Sequence, residues 1–208
     1  MARQAAKSQK TTEPPLGRSD WIEAAIAMLA EDNVEALRVD TLAEKLGVTK
    51  GSFYWHFKGR DDLLLAVVEA WRLRMTSEVR ALIFDNTGTP WERLERLLRI
   101  AISGRPDVPG GPFEMTLRDW ARRAPKVADI VREVDAERIA FALQLYREAG
   151  LSEADARDYA EAHMAVVIGI RMTMAVNDKD EVKRRRRIAG DLLLPRDKVN
   201  DAGVKRSS

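Results

Sequence analysis

Hydrophobic residues recur along this chain at spacings of three and four. Ile22, Ala25, Ile26 and Leu29 fall at i, i+3, i+4 and i+7 with polar residues between them, which lines one face of a helix. Asp20, followed three residues later by Glu23, reads as an N-cap with an N3 carboxylate, so that helix is predicted to start at Asp20. Asn33 is expected to end it, because Asn tolerates the left-handed conformation. Leu42, Ala43 and Leu46 share a face of a short second helix over Val39–Leu46. Gly47 breaks it, and Thr49 is placed to cap a third helix from Lys50. Gly59 closes the third. Asp61 and Asp62 put acid at the opening of a fourth, whose pattern reaches about Asp85, roughly 36 Å of helix.

Further helices are predicted from Pro90 to Ser103, from Pro125 to Ala149 with Gly150 as the stop, and from a Ser152/Asp155 capping box to about Val176. A last one, capped by Asp180, ends before Pro195. Residues 104–112 hold three Gly and three Pro and read as a loop; no Gly-Lys-Ser/Thr follows, so it is not a phosphate loop. No β alternation and no internal repeat competes. The fold class predicted is all-α: an N-terminal three-helix helix-turn-helix unit at 18–60, then a larger helical bundle at 61–195. Residues 1–17 and 196–208 have little to bury and read as a disordered basic arm and a disordered tail.

Composition narrows the chemistry. The 208 residues contain no Cys and two His, which excludes disulfides, thiolate catalysis and cysteine zinc sites and makes a histidine metal site implausible. The longest apolar stretch, Met164–Ile170, is far shorter than the roughly 18 residues of a membrane span. The first twenty residues lack the apolar core of a secretory signal. A cytoplasmic protein without membrane partner, metal or cofactor is expected. Net charge is only +2, yet residues 1–18 carry +3, residues 38–60 carry +3 and Lys183–Arg187 carry +5. Local basic patches on a neutral background suit a phosphate-backbone partner. The 183–187 run itself reads first as a solvated helix face, since Asp180→Arg184 and Glu181→Arg185 pair at i, i+4.

The segment 39–57 has the order helix, glycine turn, helix, in which a second helix enters the major groove while the first crosses the phosphates. Its second helix reads Lys50-Gly51-Ser52-Phe53-Tyr54-Trp55-His56-Phe57. Phe53 and Phe57 share a face that docks on the first helix. The other face offers Lys50, Ser52, Tyr54, Trp55 and His56, with Lys58 and Arg60 just beyond, and Gly51 lets backbone approach DNA closely. Seen alone, an aromatic-rich short helix is more often core than interface; the cations beside it turn that preference around.

With Val48-Thr49-Lys50-Gly51-Ser52-Phe53-Tyr54-Trp55-His56-Phe57 at its centre, the region 18–70 resembles the DNA-binding domain of the TetR/AcrR family of bacterial transcriptional regulators. The resemblance implies a repressor-like homodimer whose all-helical C-terminal domain dimerises and binds a small-molecule effector. It implies that Thr49, Tyr54, His56 and Arg60 hold phosphates, and that Lys50, Gly51, Ser52 and Trp55 sit at operator-dependent positions. Arg38 stands where many members carry a Thr cap, and there it adds a candidate phosphate contact. Among these residues Lys50 is expected to contribute most to base choice, since Lys reaches guanine N7 and O6.

Beyond residue 75 the residues speak more softly. Trp120, Tyr146, His163, Met115 and Met164 combine area with polar or polarisable handles and are the candidate effector-pocket residues; for each, ordinary core packing is the competing reading. Ala162, Ala165, Val166, Gly169, Ile170 and Thr173 place small and branched residues at helical spacing, a candidate dimer face. The function expected is a sequence-specific DNA-binding regulator, a repressor released from a near-palindromic double-stranded operator by its effector. The alternative is a helical small-molecule-binding or interaction module that no longer reads DNA. No nucleophile elbow, metal-binding His pair or dinucleotide fingerprint argues for an enzyme.

Overall fold

Gly17, rather than Asp20, caps the first helix. The computed structural model describes residues 16–84, 88–103, 111–173 and 178–197, and all regular structure among them is helical. α1 spans Arg18–Glu31, and the Asp20 carboxylate accepts the Gly17 N–H at 2.7 Å from inside the first turn. The capping box therefore lies three residues earlier than predicted, because its first member needs only extended backbone, which Gly17 supplies. α1 stops at an extended Asp32. Asn33 is extended too (φ −80°), so it is no left-handed terminator. Its side chain accepts the Ala36 N–H at 2.9 Å and opens a 3-10 turn over Val34–Ala36.

α2 (Val39–Lys45) and α3 (Lys50–Phe53) flank Gly47, whose φ of +68° is the left-handed turn that glycine adopts at least cost. α3 is a single α-turn followed by hydrogen-bonded turns to Phe57, shorter than the sequence pattern predicts. Thr49 caps it through its backbone carbonyl, which accepts from Ser52 N–H at 3.0 Å; its side chain makes no cap bond. α4 (Arg60–Leu73) runs without a break through a π-helical segment, Arg74–Glu78, into α5 (Val79–Phe84). The predicted end at Asp85 lies outside the described residues.

α6 (Pro90–Ser103), α7 (Gly111–Ala121), α8 (Pro125–Glu148), α9 (Glu153–Thr173) and α10 (Lys179–Leu193) complete the chain. Ser152 Oγ accepts the Asp155 N–H at 3.1 Å, as its box predicts. Asp178, not Asp180, caps α10, accepting from the N–H groups of both Asp180 and Glu181; Asp180 is already inside the first turn. Gly111 and Pro112 of the predicted loop begin α7, while 104–110 lie outside the described residues, as do 1–15 and 198–208 of the predicted arm and tail. Arg196, assigned to the tail, pairs with Glu95 of α6.

Trp21, Ile26, Leu42, Phe53 and Phe57 form the core of the N-terminal unit, and it continues through Leu63, Val67 and Trp71 of α4 to Phe113, Leu117 and Val134. Burying each such side chain is worth about 1.5–3 kcal/mol. The expected boundary at 60/61 is thus no gap: α4 belongs to both cores, and Glu35 and Arg123 bridge them at 3.4 Å. Two further clusters fill the body, one around Leu94, Phe141, Leu145 and Tyr146, the other joining Leu98 and Ile102 to Val167, Ile170 and Leu193.

Candidate nucleic-acid interface and adjoining cavity

The α3 region presents two opposed faces. Phe53 and Phe57 are buried, stacked 5.4 Å apart, and Phe53 meets Trp21 of α1 edge-on at 5.3 Å. On the other side Tyr54 is 56% and Trp55 88% exposed. Thr49, Lys50, Gly51 and Lys58 are exposed as well, Ser52 and His56 half-buried, and Arg38 stands exposed before α2. Leaving a Trp in water sacrifices about as much as burying it would gain, so the packing within one chain does not account for its position.

Two of the expected DNA contacts are engaged within the fold. Lys50 Nζ lies 2.9 Å from Asp40 Oδ1, a bond that raises its pKa. Arg60 turns inward: its Nε donates to the Leu37 carbonyl at 2.7 Å and its Nη2 to that of Val34. Those carbonyls end the 3-10 turn and the link to α2, so Arg60 ties α4 to the turn before the helix-turn-helix. In the DNA-free chain its guanidinium is thus bonded within the fold, and the Val34 carbonyl it meets also accepts the Leu37 N–H at 3.3 Å.

Behind the interface lies a cavity of about 240 Å³ among α5, α6, α8, α9 and the π segment. His163 and Met164 line it, as expected; Trp120, Tyr146 and Met115 do not. Trp120 packs against the N-terminal core and Met115 sits half-buried on α7. Tyr146 is fully buried behind the wall, donating its hydroxyl proton to the Leu193 carbonyl at 2.9 Å. With that proton committed, the 3.3 Å contact from Tyr146 Oη to His163 Nδ1 makes Nδ1 the donor. Burial, and then Arg138, push the His163 pKa down to about 4, so the ring is neutral near pH 7.

Sequence reasoning missed the charged inner wall. Glu114 of α7 is 1% exposed and bonds Arg118 and Arg138 at 2.8 Å and also Arg171. Arg118 clasps Asp135 through two bonds of 2.7 and 2.8 Å, and Arg171 Nε donates to the Ala101 carbonyl at 2.8 Å. Burial would raise the Glu114 pKa, but the three guanidiniums outweigh it and hold it at about 2. Only the Glu114/Arg118 pair, four apart on one helix, was visible in the sequence. Met75, Thr76 and Ser77 of the π segment also line the cavity, while Arg74 beside them pairs with Glu23 of α1.

On the candidate dimer face, Ala165, Gly169 and Thr173 are exposed and Ala162 and Val166 half-buried. Ile170 is corrected to a core residue: α10 covers it with Ala189 and Leu193. Of the 183–187 run, Arg184 and Arg185 pair with Glu181, and Arg187 with Asp191. No helix among the described residues is long and apolar enough to cross a membrane.

A one-sided, solvent-facing third helix on a three-helix head, carried by a helical body with an internal cavity, defines a helix-turn-helix protein. Residues 22–67 match the family model of the bacterial regulatory proteins of the tetR family. Over 68 residues the chain is 38% identical to the uncharacterized HTH-type transcriptional regulator TtgW of Pseudomonas putida, covering 33% of this chain and 47% of TtgW. The match thus spans under half the length of that relative. The fold likeness extends further. A transcriptional regulator from Saccharomonospora viridis, solved with choline, has a TM-score of 0.73 over 84% of this chain and 94% of its own, at 17% identity. AibR, solved with isovaleryl coenzyme A and operator DNA, has a TM-score of 0.63 over 86% and 98%, at 16% identity. At such identities these likenesses establish the fold.

Proposed function

We propose that this protein is a cytoplasmic homodimeric transcriptional regulator, a repressor that leaves a near-palindromic operator when a small-molecule effector enters the cavity. Residues 18–60 read DNA and residues 61–195 sense and dimerise. The observation that carries the reading is the exposure of Tyr54 and Trp55 directly opposite buried Phe53, within a basic surface. Arg38, Thr49, Tyr54, His56 and Lys58 set affinity through phosphates, while Lys50, Gly51, Ser52 and Trp55 approach base edges. A two-fold dimer would set its recognition helices about 34–36 Å apart. The structures of AibR with operator DNA and of a regulator with choline support a cavity and a DNA head working together on this fold.

Release follows from the route by which the cavity reaches the head. The π segment lines the cavity with one turn and holds α1 through Arg74–Glu23. A ligand pressing on Met75–Ser77 moves α4, and α4 carries the head on its N-terminus. The effector needs only a few kcal/mol of differential affinity to shift such an equilibrium.

Selecting bound duplexes from a random pool tests recognition and symmetry together: near-palindromic winners are expected, and purified protein without duplex affinity in dilute salt would end the proposal. On the selected duplex, Lys58→Ala should reduce the slope of log affinity against log salt by about 0.9. Arg60→Ala should instead cost about 1–2 kcal/mol of folding stability in urea titrations, because its donors serve Val34 and Leu37.

A further inference from the structure

We infer that the cavity is built for a small apolar monocarboxylate, its carboxylate held by Arg138 and Arg171 and its hydrocarbon part against Leu97, Phe141, Met164 and Val167. The inference rests on the effector-responsive reading above and names the class of effector. Its starting point is a charge imbalance. The network behind the cavity holds three guanidiniums, Arg118, Arg138 and Arg171, against two carboxylates, Glu114 and Asp135. Asp135 is committed to Arg118 by two bonds and reaches Arg138 only at 3.9 Å, so Glu114 is the carboxylate that bonds Arg138 and Arg171, and it shares itself with Arg118 as well. The surplus positive charge therefore falls on the two arginines that line the cavity.

Both are largely withdrawn from solvent, with side-chain exposures of 15% and 8%, where an uncompensated charge is costly. Among the described residues Arg138 spends one nitrogen on Glu114, leaving two for a ligand, and a planar guanidinium presents them in the fork that a carboxylate fits. Arg80 adds a third cation to the lining, stacked over Phe141 at 5.0 Å. The lining carboxylate, Glu137, is exposed. Neutral His163 adds no negative charge. The rest of the wall is mostly aliphatic, so the same space that favours an anion at one end excludes water from the other. The cavity, about 240 Å³, leaves room for a chain as short as that of hexanoate.

Calorimetry on the full chain without DNA tests this with butanoate, hexanoate and octanoate, and with hexan-1-ol and hexyltrimethylammonium as neutral and cationic counterparts. Hexanoate should bind at least about tenfold more tightly than hexan-1-ol, the loss expected for a charge-assisted pair, and the ammonium should not bind. Arg138→Gln leaves Glu114 bonded to Arg118 and Arg171, so the variant should keep the parent's fold, checked by circular dichroism, at a somewhat lower melting temperature. It should lose about tenfold in hexanoate affinity with hexan-1-ol within twofold of its original value. Equal or tighter binding of the alcohol or ammonium, no carboxylate binding at millimolar concentration, or an Arg138→Gln variant with undiminished hexanoate affinity overturns the inference. Duplex binding, read separately by fluorescence anisotropy, keeps the two ideas apart. Carboxylate binding without DNA binding would sink the regulator alone, and DNA binding without carboxylate preference would sink the ligand class alone.

Discussion

Glu114 and His163 make this protein sensitive to acid in two stages. His163 titrates near 4 in the fold against 6.5 for a free ring, with burial and then Arg138 holding it neutral. A depressed folded pKa means stability that is complete above 6.5 and drains as pH falls toward 4. Glu114, held at about 2 against 4.5, loses its share between those values. Urea titrations should show stability falling from pH 6.5 with a slope of up to ~1.4 kcal/mol per pH unit. His163→Gln should flatten the profile above pH 4.5 and leave the lower stage in place; a profile already flat there in the parent would refute the assignment. The Lys50–Asp40 pair is a second residue-level control. Asp40→Asn removes a carboxylate from the DNA-facing surface and frees Lys50, so duplex affinity at low salt should rise and the salt slope steepen by about 0.9. Anisotropy titrations across salt would read both.

The α4–π–α5 element joins the cavity to the N-terminal helices, the route of release under the proposed function. A π-helical segment accommodates an i→i+5 pattern at some cost in packing regularity and is often found at functional positions. Here it puts Met75–Ser77 against the cavity and Arg74 against Glu23. Glu23→Gln weakens that link without touching α3 or the cavity. Duplex affinity should stay within about threefold of the parent, whereas the effector concentration needed for release should rise severalfold; an unaltered release curve would mean that α1 is not part of the route. The helices around this element were legible in the sequence because their apolar spacing is local. The π segment was not, since Arg74–Glu78 reads as ordinary helix and only packing against α8 and the cavity distinguishes it.

At the scale of the whole molecule, α9 turns Ala165, Gly169, Met172 and Thr173 outward, Met172 65% exposed, with Arg185 bonded to Thr173 at one end. A Cβ built at Gly169 meets nothing within 4 Å, so the Gly169→Arg chain should fold with the parent's helical content, its melting temperature lower only by what the lost association contributed. It should nevertheless sediment as a monomer and bind a full operator at least about tenfold more weakly, because one head then has to hold the site alone. A dimeric variant would move the interface elsewhere.

What could be read from residues alone was whatever depends on neighbours within a few positions. That includes the helices other than α7, with most of their ends, the glycine turn at 47, the two faces of 50–57, and the family which that segment resembles. Cap positions slipped by two or three residues at Asp20 and Asp180, because adjacent acids compete for the same backbone groups. Everything that joins distant positions had to await the folded chain: Arg60 reaching back to Val34, Ile170 covered by α10, Tyr146 sealed behind the cavity. The cluster of Glu114 with Arg118, Arg138 and Arg171 belongs with these. Its meaning lies in a charge sum over three helices buried in one place, and desolvation makes that sum matter only once packing has brought them there.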